Sequence, residues 1–167
     1  MSPFISIIIP FYGTADPVLL QRCLDSIRRQ GMEEGSYEII VVDDNGKGLG
    51  GARNQGIRQA TGTYLMFVDA DDYLFPNLSY CFPYLLKYTP DVCSFQMCEV
   101  NRPGVIPQSF NYKWEVYESG AEYMSKNNFM GTAWRHFFSR SFLNIHGLAF
   151  AESCFHEDED FVAKAYC

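Results

Sequence analysis

Nowhere in these 167 residues do eighteen apolar residues run together, and the first residues hold no basic stretch followed by a signal-type apolar run. The sequence therefore predicts neither a membrane-spanning helix nor a secretory leader, and the expected setting is cytoplasmic, at most against the inner face of a membrane. Basic residues are few: 13 Lys and Arg face 20 Asp and Glu, for a net charge of −7, and they are scattered rather than clustered. That argues against a nucleic-acid partner, which needs grouped cations to neutralise phosphates. The six cysteines, Cys23, Cys81, Cys93, Cys98, Cys154 and Cys167, show no C-x-x-C spacing, so structural zinc and a disulfide framework give way to reduced thiols. Internal repeats and low-complexity segments are absent too. What is present is a 47% hydrophobic chain, long enough to bury the core of one domain.

Strand and helix signals alternate. Residues 5–9 (ISIII) form a β-branched run bounded by Pro10 and read as a strand buried on both faces. Asp16 followed by Pro17 predicts a helix start, and Leu20, Cys23, Leu24 and Ile27 recur on one helical face. Residues 37–42 read as a second buried strand ending in Asp43 and Asp44. Gly46, Gly48, Gly50 and Gly51 read as a flexible loop before a helix that carries Arg53 and Asn54. A third strand covers 64–68, and a fourth about 92–97. Between them Asn77 is expected to cap a helix with a stripe of Leu78, Cys81, Phe82, Leu85 and Leu86. Residues 101–113, with Pro103, Gly104 and Pro107, look irregular. Ser119 and Glu122 suggest a capping box for a helix to about Lys126, and 141–145 a further helix stopped by Gly147. Strand-helix-strand order implies parallel, right-handed crossovers and an α/β fold.

Acid gathers where the strands end. The third strand runs directly into Asp69-Ala70-Asp71-Asp72. In an extended segment Asp69 and Asp71 point the same way, and two such carboxylates suit Mn²⁺ or Mg²⁺, hard ions that keep positions open for water and phosphate. Ligands of open α/β sheets bind beyond the carboxyl ends of the strands. Phe11 and Tyr12 after the first strand, and Asp43 and Asp44 after the second, are placed to stack on a base or accept from a base N–H or ribose hydroxyl. Tyr12 serves equally well as an aromatic cover for the sheet, and Asp44 as a cap for the glycine loop. Glu157 to Asp160, between Phe155 and Phe161, cannot all be buried. They form either a solvated helix start or a set of carboxylates in which one is tuned as a general base; Asp158 fits that role best. His156 is a metal or phosphate contact or a surface group, and Trp134 an acceptor-stacking ring or a core residue. Arg53 pairs with phosphate or, on the preferred reading, with an Asp43/Asp44 carboxylate.

The segments ISIIIPFY (5–12), EIIVVDDN (38–45), GLGGARNQG (48–56) and FVDADD (67–72) together resemble the successive signatures of GT-A family 2 glycosyltransferases. Trp134, FSRSFL (138–143), Phe150 and HEDEDF (156–161) resemble the second half of bacterial members that build surface polysaccharide. The resemblance implies a GT-A, Rossmann-like fold, with a mostly parallel sheet and helices on both faces. It implies an inverting transferase that moves a sugar from a nucleotide-diphosphate donor, UDP-linked by preference, to a saccharide or lipid-linked acceptor. It places nucleotide contacts at Pro10, Phe11, Tyr12, Asp44, Arg53 and Asp69, the metal at Asp69 and Asp71, the catalytic base at Asp158, and acceptor-side roles at Trp134, Glu157 and His156. Gly46 stands where the family often has Ser. Residues 1–100 are expected to form the donor-binding half and 101–167 the acceptor-side half of a single domain.

Two other readings compete. An apolar strand ending in D-x-D also describes the nucleophile of haloacid dehalogenase-type phosphatases, but there it follows the first strand, with Thr or Val where this chain has Tyr73. A nucleotidyltransferase would need a basic, glycine-rich start after Ile9. A binding-only fragment is the third possibility, since family members generally continue with acceptor-side structure or a membrane-associating segment. The chain is therefore expected to be the C-terminally incomplete core of a longer protein, with peripheral membrane association through segments it lacks.

Overall fold

The structure, a computed structural model, describes residues 2–11, 16–43, 45–95, 114–128 and 131–167. Strands β1 (Ile5–Phe11), β2 (Tyr37–Asp43), β3 (Tyr64–Phe67), β4 (Val92–Ser94) and β5 (His136–Ser139) form one sheet in the order β2-β1-β3-β5-β4. β1 pairs in parallel with β2 and β3, while β5 runs antiparallel between β3 and β4. Four strands thus share one direction, the mostly parallel α/β architecture expected from the sequence. After β2 the chain crosses to the other side of β1, which makes the carboxyl end of β1 a topological switch point.

Among the described residues six α-helices accompany the sheet: α1 (Pro17–Arg28), α2 (Gly48–Gln59), α3 (Phe82–Tyr88), α4 (Gly120–Lys126), α5 (Arg140–His146) and α6 (Glu157–Tyr166). Side-chain alternation along β1 builds two cores. Ile5, Ile7 and Ile9 meet Cys23 and Ile27 of α1 and Leu85 of α3 on one face, while Ile8 joins Ile57 of α2 and Phe161 and Val162 of α6 on the other. Asp16 caps α1 as expected, accepting from the Val18 amide at 2.8 Å with Pro17 as the first helical residue. Ser119 accepts from the Glu122 amide at 3.2 Å, and the Glu122 carboxylate returns to the amide of Glu118 at 2.9 Å, a capping box whose return arm lands one residue early. Among the described residues no helix is long and apolar enough to cross a membrane, and Cys23, Cys81, Cys93, Cys154 and Cys167 are free thiols.

Several local expectations need correction. β2 is an edge strand, so it is not buried on both faces, and Val41 is left exposed. Asn77 sits in the left-handed region (φ 85°) without a side-chain cap; a 3₁₀ turn, Leu78–Cys81, precedes α3, and Leu86 of the expected stripe faces solvent. β4 ends at Ser94, with Phe95 just beyond it, and residues 96 and 97 of the expected fourth strand lie outside the described residues, as does the irregular stretch 101–113. Gly50 and Gly51 lie inside α2, not in a loop before it. β5 had no signal in the hydrophobic pattern: four residues, HFFS, are too short to show a period, yet all four are buried.

His136, at the start of β5, is buried, with Nδ1 donating to the Thr132 carbonyl at 2.9 Å. Burial lowers its pKa from 6.5 to about 4, against the opposing effect of that hydrogen bond. The unfolded chain thus takes up the proton first, so this contribution to stability is complete above pH 6.5 and is lost as pH falls toward 4. The loss amounts to roughly 3 kcal/mol. His136→Asn, which keeps a donor for Thr132, should flatten the fall in melting temperature over that window. Parallel curves for parent and variant would show that acid lability arises elsewhere.

Candidate active site

Asp69 and Asp71 follow β3, but not as an extended segment. The Asp72 amide donates to the Asp69 carbonyl at 3.0 Å, closing a turn over Ala70 and Asp71. The segment is a turn and not an extended strand, so the face alternation of the sequence argument does not apply to Asp69 and Asp71. Arg22 of α1 straps it by donating to the Asp71 carbonyl, and its guanidinium lies 5.1 Å from the Tyr73 ring centroid. Crowding is visible at Asp72, whose pKa is raised first by burial and then by the charges of Asp69 and Asp71, with Arg22 opposing.

Across from this turn stands Arg53, on α2 and only 2% exposed. Nη2 donates to Asp69 Oδ1 at 2.9 Å, while Nη1 donates to Glu157 Oε1 at 2.9 Å and to Asp158 Oδ1. Among the described residues the charged partners of Arg53 are these three carboxylates, and Asp43 is not one of them. Phe150 floors the guanidinium, its ring centroid 5.4 Å from Arg53 Cζ, and is itself stacked on Phe161 at 3.8 Å. Asn54 fixes Phe150 by hydrogen bonds to both its backbone N–H and C=O, each 2.9 Å. α2 and the segment before α6 approach so closely that a Cβ at Gly50 would overlap the Ala151 carbonyl oxygen and sit 3.3 Å from Glu157 Cγ. Glycine at position 50 is what lets α6 reach Arg53.

The acidic run of α6 divides as a helix must. Glu157 and Asp158 turn inward to Arg53, while Glu159 is exposed and Asp160 pairs with Lys164 at 2.6 Å. Asp158 is held on its other oxygen by the Ala133 amide at 2.9 Å. Burial is the largest influence on its pKa and raises it; Arg53 and the Ala133 amide pull it down, Asp69 and Glu157 push it up, and the balance lies above the ordinary carboxylate value. One guanidinium facing three carboxylates leaves two formal negative charges uncompensated among the described residues.

The remaining candidates are placed as follows. Pro10 and Phe11 end β1, where Pro10 lies opposite Val42 and Phe11 opposite Asp43 of β2, beyond the pairing with β3. Tyr12 and Asp44 lie outside the described residues. Trp134 is half-buried in the 3₁₀ turn Ala133–Arg135, next to the residue that binds Asp158. His156 is exposed, in the left-handed region (φ 62°), with Nδ1 3.5 Å from Glu159 Oε1. The structure thus brings Asp69, Arg53, Glu157 and Asp158 into direct contact and leaves His156 outside that cluster. The Ala133 amide and Asn54 had no chemical signal in the sequence, because their parts are played by a backbone group and a second-layer amide.

Among the described residues no group of three or more His, Cys, Asp or Glu is arranged to hold a metal ion. Asp69 and Asp71 are the carboxylates that could share a divalent cation, and Asp69 Oδ1 already accepts from Arg53 Nη2. Two carboxylates in an acidic surround are what Mn²⁺ or Mg²⁺ needs when a diphosphate and water complete its shell.

The family model described as Glycosyl transferase family 2 matches residues 6–47 and 45–144. A poly(ribitol-phosphate) β-glucosyltransferase of Bacillus spizizenii is 37% identical over 42% of this chain and 15% of its own length. Two proteins of Bacillus subtilis match more of the chain: the putative glycosyltransferase EpsH, 26% identical over 89% of this chain and 51% of its own, and the uncharacterized glycosyltransferase EpsJ, 29% identical over 99% and 57%. The chain therefore spans little more than half the length of these relatives at most. In fold it is similar to S. aureus TarS, with a TM-score of 0.80 at 24% identity over 99% of this chain and 55% of that one. TarS has also been solved with UDP-GlcNAc (TM-score 0.76, 24% identity, 99% of this chain and 53% of that one). A mannosyltransferase of Pyrobaculum calidifontis, solved with GDP-Man and Mn²⁺, gives a TM-score of 0.65 at 17% identity, covering 99% and 52%.

Proposed function

Because the chain belongs to glycosyl transferase family 2, we propose that it transfers a sugar from a nucleoside diphosphate sugar, UDP-linked, to a saccharide or lipid-linked saccharide of the cell surface, with inversion at the anomeric carbon. The phosphatase reading falls with the family match. The observation that carries the proposal is the shared guanidinium: the acidic turn after β3 and the acidic start of α6 meet on Arg53. The fold relatives solved with UDP-GlcNAc and with GDP-Man and Mn²⁺ support a nucleotide sugar and a divalent ion. The acceptor class rests on the named relative that glucosylates poly(ribitol phosphate).

In this reading the carboxyl ends of β1 and β2, with Pro10, Phe11, Tyr12 and Asp44, receive the nucleotide. Asp69 and Asp71 would hold Mn²⁺ or Mg²⁺, which would supply positive charge against the departing diphosphate. Asp158 accepts the proton of the acceptor hydroxyl as that oxygen attacks the anomeric carbon from the side opposite the leaving group, and a single displacement of this kind inverts the centre. Its pKa lies above the ordinary carboxylate value, which makes it a stronger base than a solvated carboxylate. Trp134, Glu157 and His156 are assigned to the acceptor side in this reading, and residues 101–167 to that half.

A thermal-shift comparison of UDP, GDP and dTDP, each with and without Mn²⁺, tests the proposal, since a ligand that binds only the folded state stabilises it by RT ln(1 + [L]/Kd). UDP with Mn²⁺ is expected to raise the melting temperature above either alone. Failure of all three nucleotides to give a metal-dependent shift would overturn the donor assignment.

A further inference from the structure

We propose that Arg53 is a positioning residue for the transfer step: it does not touch the donor but fixes the Asp158 carboxylate in the orientation from which that carboxylate takes the acceptor proton. The inference rests on the reading of Asp158 as the base.

Three observations carry it. First, the guanidinium is buried and each terminal nitrogen is engaged, Nη2 by Asp69 and Nη1 by Glu157 and Asp158. Second, Arg53 is itself built into place. Phe150 lies under its plane, and Asn54, the next residue on α2, clamps the Phe150 backbone from both sides. Such a layered support is out of proportion to a surface ion pair, and it removes the rotamer freedom an arginine normally keeps. Third, Asp158 is gripped at both oxygens, by Arg53 on Oδ1 and by the Ala133 amide on Oδ2. A carboxylate held at two points cannot swing, and fixing a reacting group within a fraction of an ångström is where orientation acts on rate.

The geometry also explains the residue type. A planar fork presents separate N–H groups to separate carboxylates, whereas an ammonium is a single point that cannot reach all three. Asp69 and Asp158 belong to different elements, the turn after β3 and the start of α6, so one rigid group spanning both sets the distance between the donor side and the base.

The test is a double-mutant cycle in the whole protein with Arg53→Lys, Asp158→Asn and the pair. The probe is release of nucleoside diphosphate from whichever of UDP-GlcNAc, UDP-glucose or GDP-mannose the parent turns over with Mn²⁺, and binding of the matching nucleotide is measured by calorimetry. Arg53→Gln is the second variant should Arg53→Lys fail to show the parent's near-ultraviolet circular dichroism. The expected result is a fall in kcat of roughly 10- to 100-fold for the Arg53 variant, with donor KM and nucleotide affinity within about threefold of the parent's, a spread too small to count as lost binding. It includes no further fall when the Arg53 change is added to Asp158→Asn, because a residue that acts through Asp158 has nothing left to act on. Losses in kcat that multiply in the double variant, or a raised donor KM at unchanged kcat, would overturn the proposal and assign Arg53 to general stability or to phosphate binding. Parent-like kcat in Asp158→Asn would instead remove the base assignment on which this rests, and a parent that turns over none of the donors would remove the transfer reading itself.

Discussion

Asp158→Asn is expected to lower the rate of sugar transfer by roughly 10²- to 10⁴-fold, the range that general-base catalysis contributes, while leaving nucleotide binding in place. The substitution is sterically silent, but it is not electrostatically silent. The asparagine oxygen can still accept from the Ala133 amide, which then turns its NH₂ toward the guanidinium of Arg53, donor against donor. A local penalty of about 1–3 kcal/mol follows from leaving buried hydrogen-bonding groups unmatched. The informative measurement is therefore paired: transfer rate under saturating donor, and binding of UDP with Mn²⁺ by calorimetry. A variant that binds and does not transfer supports the base assignment; a variant that transfers at the parent's rate ends it.

The second large effect belongs to Asp69→Asn, and it is an effect on binding. Asp69 is proposed as a metal ligand, and it also receives Arg53 Nη2 at 2.9 Å. Replacing the carboxylate by an amide removes the ligand's own charge, and a fall in metal affinity of about 100-fold is expected, the upper end for changes around a metal site. At a ligand concentration 100 times the parent's dissociation constant, stabilisation is about 2.7 kcal/mol; a 100-fold weaker site retains about 0.4 kcal/mol. In a domain of this size each kcal/mol moves the melting temperature by about 2–4 °C. The Mn²⁺-dependent shift with UDP should thus shrink from about 5–10 °C to about 1 °C. A shift of undiminished size in Asp69→Asn would move the metal to other ligands.

Much of the frame was legible in the sequence because its signals are local. The β-branched runs at 5–9 and 37–42, the Asp16-Pro17 start and the Ser119-Glu122 box each state their structure within a few residues, and each is found. β5 was not legible: a buried strand of four residues inserted between β3 and β4 has its reasons in distant partners. The glycines of α2 were misread for a related cause. Composition alone cannot separate a glycine that bends the chain from one that admits a neighbour; Gly50, lying against the Ala151 carbonyl, is of the second kind. At the site, the carboxylates Asp69 and Asp158 stood out by type and spacing. That Arg53 joins them, and that the Ala133 amide holds Asp158, are facts of tertiary geometry that no spacing announces.

The reach of the Arg53 contacts also bears on how the molecule comes into being. Glu157 and Asp158 follow Arg53 by 104 and 105 residues. At ribosomal speeds of roughly 5–20 residues per second, the guanidinium waits several seconds or more for two of its three counter-charges. Until α6 emerges, the nascent sheet carries a cation destined for burial with only Asp69 of its three described partners beside it. The arrival of that helix therefore does two things in one step: it seals the hydrophobic face formed by Phe67, Phe138 and Phe150, and it delivers the carboxylate proposed to do the chemistry. A newly made molecule gains its chemistry only when it closes its core.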